Sequence, residues 1–444
     1  MTSGMSDLGR VLAEHRLSTV EIDLDRMVRE RHVRIQDAMA VQGIDVALLL
    51  HGPHVAYATG FPARGLDESH AVFRRPVAMV VAGEDRPHLL WDEAEPPGVG
   101  DAEPARWGSE PAAPGAASTA SVQSVAGCAR RHPAAWPELD EGAERLAKLL
   151  GSVAGSVAGR RVAVDELTGA MRRMGLLDGA TVVDASAPLA AARVTKTSDE
   201  LACIAEAQRR NEAAMRAVPD MLLPGATRSH VAGEFLARLQ ELDGEADGAA
   251  VNLIDPIFQP MPRAVAAGPR TTTGGVAFPI GVGDPKFAEG DLVWVDTGID
   301  HCGYASDFGR TWLVGRDPTA AERRLFERWC DVMLATLDVL GPGVTAGQLC
   351  RAAEAANDGT PPWLPHFYLA HGVGVESAEM PLVGTDLGRE FDDGLILAPG
   401  MVLVLEPAVW HDGVGGYRAE EIVAVTEEGW CHLGGGYPYT PFAL

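Results

Sequence analysis

The sequence lacks the features of membrane proteins, secreted proteins and proteins held together by disulfides. Its apolar runs stay below the ~18–20 residues that a membrane-spanning helix needs. Residues 1–16 alternate polar and charged side chains, without the apolar core of a signal peptide. The six cysteines are scattered and include no Cys-x-x-Cys pair, which argues against a zinc ribbon and a disulfide framework. We therefore expect a soluble, cytoplasmic protein with no membrane partner.

Basic side chains are also scarce. The chain has 37 Lys and Arg against 62 Asp and Glu, which gives a formal charge of −25. Proteins that bind nucleic acids usually carry the opposite sign, because neutralising phosphates supplies most of their affinity. We therefore expect no nucleic-acid partner, and a charge of this size also keeps a protein soluble.

What is present fits a globular protein of two domains. Hydrophobic residues make up 46% and charged residues 22% of the chain, which is ordinary for a globular protein. A chain of 444 residues is too long to fold around one small hydrophobic core. A helical pattern over residues 23–42 and short apolar runs predict an α/β lobe in the first part. The runs lie near residues 46–50, 76–82, 88–91, 160–164 and 181–183, and residues 101–158 read as loops around one short helix. We place the boundary near Arg193, with domains 1–193 and 194–444.

Helix-start signals open the second part. Residues 197–200 (Thr-Ser-Asp-Glu) have the pattern of a capping box and predict a helix to about Val218. Residues 224–227 (Pro-Gly-Ala-Thr) and 342–345 (Pro-Gly-Val-Thr), 118 positions apart, each precede a helical pattern. Two such copies indicate a duplicated α/β unit.

Two aspartates stand on either side of a turn in this second part. Asp296 ends the apolar run Leu-Val-Trp-Val, and Asp307 follows Gly-Tyr-Ala-Ser. A hairpin would bring both carboxylates to about a cross-strand spacing, where they do not both stay ionised unless a cation lies between them. Taken alone, the pair fits two exposed hairpin residues equally well.

Three further residues strengthen the metal interpretation. His371 opens His-Gly-Val-Gly, Glu406 ends the apolar run after Pro-Gly-Met, and Glu420 leads towards the strand pattern Ile-Val-Ala-Val. An acid among apolar neighbours is costly unless it is paired or binds a metal ion. Each of these residues alone is more often structural. Five together, each beside a strand or a glycine turn, predict a metal site.

The order Asp, Asp, His, Glu, Glu, at separations of 11, 64, 35 and 14 residues, resembles the pita-bread metallopeptidase superfamily. That superfamily includes methionine aminopeptidase, aminopeptidase P, prolidase and creatinase. The motifs Gly-Tyr-x-x-Asp-x-x-Arg-Thr, His-Gly-x-Gly, Pro-Gly-Met-x-x-x-x-Glu-Pro and Arg-x-Glu-Glu carry the likeness from about Pro224 onwards. The first lobe, with residues 57–61 (Tyr-Ala-Thr-Gly-Phe) and 195–200, is similar to the creatinase and prolidase branch.

The resemblance implies an α+β fold. Its C-terminal pita-bread domain would have a curved antiparallel sheet with pseudo-twofold α/β repeats, beside a smaller N-terminal creatinase-like α/β lobe. It also implies a homodimer and a dinuclear centre. Asp307 and Glu420 would bridge two divalent ions, Asp296 would complete one, and His371 and Glu406 the other. Four carboxylates and one imidazole suit Mn²⁺, Fe²⁺, Co²⁺ or Zn²⁺ and argue against copper and thiolate clusters.

Two histidines that the peptidases of this superfamily use are absent. They are expected about 17–18 residues before the first metal aspartate and seven residues after the ligand histidine, where this chain has the region of Phe278 and Ala378. Their loss favours a different reaction. The dimethylsulfoniopropionate lyases combine the metal set with lost histidines, and residues 268–271 and 437–444 resemble theirs. In that branch a carboxylate near His-Gly-x-Gly removes an α-proton, and Glu376 is the candidate here.

The sequence therefore favours a metal-dependent lyase acting on a small carboxylate such as dimethylsulfoniopropionate. The alternative is a metal-dependent hydrolase of C–N bonds, of the Xaa-Pro aminopeptidase, prolidase or creatinase type. A binding protein without catalysis ranks last, because all five ligands persist. The candidate catalytic residues are Glu376, His366 and Glu379, and the candidate substrate-binding residues are Arg310, Arg418, Phe278 and Tyr304. Structural alternatives stay open: Glu376 as a solvated loop residue, His366 packed on aromatic rings, and the arginines as neutralisers of the acidic shell.

Overall fold

The computed structural model of the chain describes residues 3–18, 21–60, 76–90, 129–132, 139–244, 252–260, 286–364, 367–411 and 413–437. Their contacts form two compact units. The N-terminal unit comprises the described residues of 21–193 with 197–199, and the C-terminal unit comprises those of 1–20, 194–196 and 200–444. Helix α1 (Ser3–Glu14) thus belongs to the C-terminal unit, where Leu8 and Leu12 pack in the core beside Trp329.

The N-terminal unit is built on a mixed sheet. Its strands are β1 (Val46–Leu49), β2 (Val77–Val81), β3 (His88–Leu90), β4 (Arg130–His132), β5 (Arg161–Val164) and β6 (Thr181–Asp184). Their order is β4-β3-β2-β1-β5-β6, with β1 antiparallel to β2 and parallel to β5. The helices are α2 (Leu24–Gln42), α3 (Gly52–Thr59), α4 (Asp140–Val153), α5 (Gly169–Arg173) and α6 (Ser186–Arg193).

Local chemistry explains the first elements of this unit. The Asp23 carboxylate accepts a hydrogen bond from the backbone N–H of Arg26 and starts α2, and Gly43 ends it in the left-handed region at φ +63°. The buried strand after it, β1, is apolar at every position, as expected for a strand covered on both faces. Strands form at all the predicted apolar runs. The helix within residues 101–158 is α4, while residues 91–128 and 133–138 lie outside the described part.

The described residues of the C-terminal unit form three antiparallel sheets: two larger ones with helices packed on them, and a two-stranded one that pairs Ala408–His411 with Gly415–Arg418. The first has the order β10-β8-β7, with the short strand β9 paired to β8, and the second has the order β12-β11-β13-β16-β17. The strands are β7 (Asn252–Pro260), β8 (Leu292–His301), β9 (Tyr304–Ala305), β10 (Phe308–Leu313), β11 (Ala370–Gly372), β12 (Glu379–Val383), β13 (Val402–Leu405), β14 (Ala408–His411), β15 (Gly415–Arg418), β16 (Glu421–Thr426) and β17 (Gly429–His432). The helices are α7 (Ser198–Met215), α8 (Arg228–Gly244), α9 (Ala320–Val339), α10 (Ala346–Ala356) and α11 (Arg389–Gly394). These elements confirm the predicted α+β fold. None of the described helices is both long and apolar enough to cross a bilayer.

The predicted internal repeat is visible in the hydrogen bonds. Gly225 donates its N–H to the carbonyl oxygen of Phe287 at 2.8 Å, and Gly343 donates to that of Leu397 at the same 2.8 Å. Both glycines have positive φ, +90° and +82°, which the turn requires. Thr227 and Thr345, two residues later, pair with the segments that lead into β8 and β13. The sequence motif therefore marks the same supersecondary unit twice.

Each copy buries its sheet under its own helices. Met215 and Phe235 of α7 and α8 pack with Val293 and Val295 of β8 in one core. Trp329 and Leu349 of α9 and α10 pack with Leu403, Leu405 and Val423 in another. Strands β8 and β13 thus hold equivalent places in the two copies; Asp296 lies within β8, and Glu406 directly follows β13.

Candidate metal centre

The hairpin of β8 and β10 positions the two aspartates. Asp296 lies within β8 and faces Gly309 of β10, while Asp307 lies just before β10. The two carboxylates are therefore diagonal neighbours and not a direct cross-strand pair. They still meet, because Asp296, Asp307 and Glu420 each offer a carboxylate oxygen within 4.8 Å of the others.

Glu420 reaches the hairpin because Gly309 leaves room for it. A Cβ atom at Gly309 would lie 2.7 Å from the Glu420 carboxylate, so a larger residue there displaces this side chain. The backbone N–H of Glu420 donates to the carbonyl oxygen of Gly309 at 3.1 Å. Glu420 stands between β15 and β16 and is 1% exposed. Its carboxylate is held at the hairpin by backbone contacts as well as by packing.

His371 and Glu406 approach the cluster from the second sheet. His371 pairs in register with Val404 of β13, and Glu406 follows that strand directly. The His371 Nε2 atom lies 3.2 Å from an Asp307 oxygen and 3.3 Å from a Glu406 oxygen. Nδ1 of His371 lies 2.9 Å from the carbonyl oxygen of Gly372, which fits an N–H at Nδ1 and leaves Nε2 as the ligand atom. All five predicted ligands are thus brought to one place.

The crowding of these acids shifts their proton affinities. Burial, reinforced by the charge of Glu420, raises the pKa of Asp296 to about 8. Burial and the charge of Asp307 raise the pKa of Glu420 to about 8, and burial with the charge of Asp296 raises the pKa of Asp307 to about 6. Carboxylates in such surroundings need positive charge to stay ionised at neutral pH.

Arg418 supplies one such charge within the cluster. Its guanidinium contacts the Glu406 carboxylate and lies 3.2 Å from a Glu420 oxygen. It also lies over the Trp294 ring, 3.8 Å from the centroid, and is 2% exposed. These contacts match the interpretation in which this arginine neutralises the acidic shell.

Arg310 lies behind Glu420. It donates to the carbonyl oxygen of Glu420 at 2.6 Å and forms a buried ion pair with Glu421, whose other oxygen lies 2.6 Å from Nε2 of His432. Glu421 therefore belongs to a supporting network and points away from the cluster, as strand alternation predicts. Sequence reasoning missed His432, because nothing in its local pattern distinguishes it from a structural histidine.

The other candidates lie around the turn after β11. The Glu376 side chain is half-buried, and its carbonyl oxygen accepts from the N–H of Gly374 at 3.0 Å. Glu379 forms a buried ion pair with Lys196 at 2.5 Å, a partner that the sequence did not reveal. The Tyr304 hydroxyl donates to Glu200 at 2.7 Å. His366 and Phe278 lie outside the described residues, so their predicted roles stay predictions.

The donor set fits divalent cations. Oε2 of Glu420 is buried and has no hydrogen-bond donor among the described residues, whereas the Glu406 carboxylate has the Arg418 guanidinium and Nε2 of His371 as neighbours. Buried carboxylate oxygens without a donor are costly unless a cation satisfies them. Together with the carboxylates of Asp296 and Asp307 and the imidazole of His371, they form an oxygen-rich set suited to Mn²⁺, Fe²⁺, Co²⁺ or Zn²⁺.

Comparison with known proteins shows the family to which the chain belongs. The profile of metallopeptidase family M24 matches residues 202–427, and that of the creatinase/prolidase N-terminal domain matches residues 31–195. The chain belongs to metallopeptidase family M24. The predicted resemblance is thereby confirmed at the level of the superfamily, while the dimethylsulfoniopropionate lyase branch is not shown.

Individual relatives are described as peptidases. An Xaa-Pro dipeptidase of Pyrococcus furiosus is 30% identical over 242 residues, 53% of this chain and 62% of that protein. An uncharacterised peptidase of Bacillus subtilis is 31% identical over 243 residues, 53% of this chain and 61% of that protein. The chain thus spans about three fifths of the length of these curated relatives.

Solved structures show the same fold. An Xaa-Pro dipeptidase from Bacillus anthracis superimposes with a TM-score of 0.65 at 21% identity, covering 92% of this chain and 98% of that chain. The prolidase from Pyrococcus horikoshii OT3 gives a TM-score of 0.64 at 19% identity, covering 91% and 97%.

The prediction of a lyase is wrong. The relatives carry the descriptions of dipeptidases and prolidases, which are hydrolases. Two missing histidines are therefore weak evidence for a different reaction. Their absence leaves the acidic cluster of Asp296, Asp307 and Glu420 intact.

Proposed function

We propose that the chain is a metal-dependent hydrolase that cleaves a C–N bond in a small peptide, of the Xaa-Pro dipeptidase type. The observation that supports this most strongly is the group of Asp296, Asp307 and Glu420, whose carboxylate oxygens lie within 4.8 Å of one another. His371 and the buried Glu406 adjoin it. Membership of a metallopeptidase family makes a catalytic role the natural one for this cluster.

Two divalent ions held by Asp296, Asp307, His371, Glu406 and Glu420 would supply Lewis-acid polarisation of a carbonyl group and an activated water. The family resemblance implies that Asp307 and Glu420 would each help to hold both ions, and the carboxylate oxygens of these two residues lie within 4.8 Å of each other and of one from Asp296. The described residues around them provide the rest of the chemistry. Arg418 balances the negative charge, and the Arg310 network fixes the backbone of Glu420.

Proton transfer to the leaving amine needs an acid other than the histidine found in related peptidases. Ala378 stands at that position and is exposed. Glu376, two residues earlier and half-buried, is the proposed proton carrier. Glu379 is held by Lys196 and is proposed to position the turn. Acid–base help of this kind is typically worth ~10²–10⁴-fold in rate. Glu376→Gln should therefore lower kcat by roughly that factor without changing metal content.

The test is a panel of Xaa-Pro dipeptides given to protein loaded with Mn²⁺ or Co²⁺, with release of free proline followed by mass spectrometry. We expect proline release from wild type and none from Asp307→Asn. The matched control is Asp338→Asn, an exposed acid on α9, which should keep full activity. Intact peptides after prolonged incubation of metal-loaded wild type would contradict the proposal.

The predicted homodimer belongs to the same proposal. Light scattering behind size-exclusion chromatography tests it, with twice the chain mass of 46.9 kDa as the expected result.

A further inference from the structure

The turn between the two aspartate-bearing segments carries a cysteine. Cys302 joins β8 to β9 and adopts a positive φ of +52°, unusual for a residue with a side chain. The residue is half-buried. Its sulfur lies 3.5 Å from Nε2 of the neighbouring His301. The backbone therefore holds this sulfur in a defined place, five residues before Asp307.

A second thiol lies against the first. Cys203, on α7, is fully buried, and its thiol hydrogen-bonds that of Cys302. Helix α7 runs along the hairpin and contacts it on both sides of this pair. Glu200 accepts from the Tyr304 hydroxyl at 2.7 Å, and the Asn211 amide donates to the carbonyl oxygen of Thr297 at 2.6 Å. The two cysteines thus belong to a fixed interface and not to a chance approach of mobile side chains.

The surroundings of Cys302 favour its thiolate. The hydrogen bond from Cys203 lowers the pKa of Cys302 to about 5, with help from the hydrogen bond and charge of His301 and the charge of Arg210, against the opposing effect of burial. By contrast, burial raises the pKa of Cys330 to about 12 and also raises that of Cys431. Reactive cysteines occur in partly exposed places with such positive neighbours, whereas buried apolar ones are inert.

We propose that Cys302 and Cys203 form a thiol pair that hydroperoxides oxidise reversibly to a disulfide, with Cys302 attacking and Cys203 resolving. The Cys302 sulfur attacks the hydroperoxide oxygen, breaking the O–O bond and giving a sulfenic acid and water. The Cys203 sulfur then attacks the sulfenic sulfur, forming the S–S bond and releasing a second water. Overall two thiols and one H₂O₂ give one disulfide and two waters. The half-buried Cys302 is assigned the first step and the fully buried Cys203 the second.

The disulfide would tie α7 to the turn that separates Asp296 from Asp307. The proposal does not depend on the hydrolase function, because it concerns only the two thiols and their oxidant.

The first experiment measures which thiol reacts as a thiolate. Full-length protein is alkylated with iodoacetamide at pH 8 and at pH 5.5, and each cysteine is quantified by peptide mass spectrometry. An ordinary thiol with a pKa of ~8.5 slows by roughly 200-fold between these pH values, because its thiolate fraction falls. Cys302 should slow by less than about twofold. A fall on the order of 200-fold at Cys302 would overturn the proposal.

The second experiment maps the oxidised product. After H₂O₂ treatment and blocking of free thiols, we expect a Cys203–Cys302 linked peptide, a mass loss of about 2 Da, and reversal by dithiothreitol. Cys203→Ser should instead accumulate sulfenic acid at Cys302, trapped as a dimedone adduct. Cys302→Ser should leave Cys203 reduced.

Cys431→Ser is the matched control, since Cys431 is also half-buried but lacks the lowered pKa. The Cys203–Cys302 link should form unchanged in this variant. Oxidation of wild-type Cys302 to sulfinic acid without the linked peptide, or a disulfide that uses another pair, would contradict the proposal.

Discussion

At the scale of single residues, the acidic cluster is a set of groups whose ionisation opposes folding. The pKa values of Asp296 and Glu420 are raised to about 8 and that of Asp307 to about 6, whereas unfolded carboxyls titrate near ~4. Between these values the folded chain binds more protons than the unfolded chain does. The contribution of these groups to stability is therefore present at low pH and is lost as pH rises through the folded pKa values.

The first prediction concerns protein stripped of metal with a chelator. Its Tm should fall between pH 6 and pH 8, by roughly 2–4 °C for each kcal/mol lost, because the cluster must ionise without a metal cation. Calorimetry at several pH values measures this. Glu420→Gln, which removes one ionising group, should flatten the slope, and a Tm that rises steadily towards pH 8 would contradict the argument.

A second prediction concerns the support behind Glu420. Arg310→Met removes the partner of Glu421 and the donor to the carbonyl oxygen of Glu420. Breaking a buried ion pair on one side leaves an uncompensated charge, so we expect a loss of about 3–5 kcal/mol in the free energy of unfolding. Urea denaturation measures it.

The matched control is Arg351→Gln. Arg351 pairs with Asp393 at 2.7 Å, but both side chains are about half exposed. Such pairs contribute about 0–1 kcal/mol, so this variant should unfold like wild type. Equal losses of unfolding free energy in the two variants would show that the burial of the Arg310–Glu421 pair does not add to stability.

Local sequence patterns predicted the proposed metal ligands better than they predicted the buried ion pairs around the site. Asp296 and Glu406 stand at the ends of apolar runs, where an acid is conspicuous, and Asp307 stands in the motif Gly-Tyr-x-x-Asp-x-x-Arg-Thr. Lys196 and Glu379 meet across 183 positions, and no local pattern indicates such a pair. The same holds for Glu421 and His432, whose pairing depends on strand register.

At the scale of secondary-structure elements, the repeated Pro-Gly-x-Thr motif explains how the site is assembled. In both copies the turn hydrogen-bonds to the segment before a strand of the sheet, at Phe287 before β8 and at Leu397 before β13. Those strands, β8 and β13, then bring Asp296 and Glu406 to the cluster from two sides. A sequence motif that specifies a turn was enough to predict the repeat, because it uses glycine at positive φ and threonine as a helix N-cap.

Strand register was harder to predict. The sequence placed Asp296 and Asp307 side by side across a hairpin, but Asp296 faces Gly309. The short strand β9 and its turn take up residues that a simple hairpin would have paired. This difference creates the space into which Glu420 fits.

A third prediction follows from that space. In Gly309→Ala the added methyl group would meet the Glu420 carboxylate at 2.7 Å. This carboxylate is the end of a flexible side chain, so it can move and the fold should lose only about 1–3 kcal/mol. Its displacement should nevertheless weaken Mn²⁺ binding, which isothermal titration calorimetry measures.

The control replaces a glycine whose position has space for an added Cβ atom. Gly233, in α8, has no atom within 4 Å of an added Cβ among the described residues. Gly233→Ala should bind Mn²⁺ like wild type and gain about 0.5–1 kcal/mol, since alanine favours helices. Unchanged Mn²⁺ affinity in Gly309→Ala would show that Glu420 is not a ligand.

At the scale of the whole molecule, composition excluded classes of protein but did not identify the reaction. The charge of −25 and the scattered cysteines argued against several partners, and the motifs from Pro224 onwards identified the superfamily. The step from superfamily to reaction failed, because two absent histidines were taken to mean a different chemistry. Absent side chains are weak indicators when the remaining ligand set is complete, since another residue such as Glu376 can carry a proton.

The last prediction uses the division of the chain into two units. All five proposed ligands belong to the C-terminal unit, so metal binding should stabilise that unit and leave the N-terminal unit unchanged. At a Mn²⁺ concentration about 100-fold above Kd, linkage gives about 2.7 kcal/mol of added stability. Hydrogen exchange resolves this by region: amides of β8, β10 and β13 should exchange more slowly in Mn²⁺, while those of β1 and β5 should not change. Asp307→Asn serves as the control, because it should keep both units but lacks one proposed ligand carboxylate and should show no protection. Equal slowing in β1 and in β13, or slowing in Asp307→Asn as large as in wild type, would place the metal elsewhere than at this cluster.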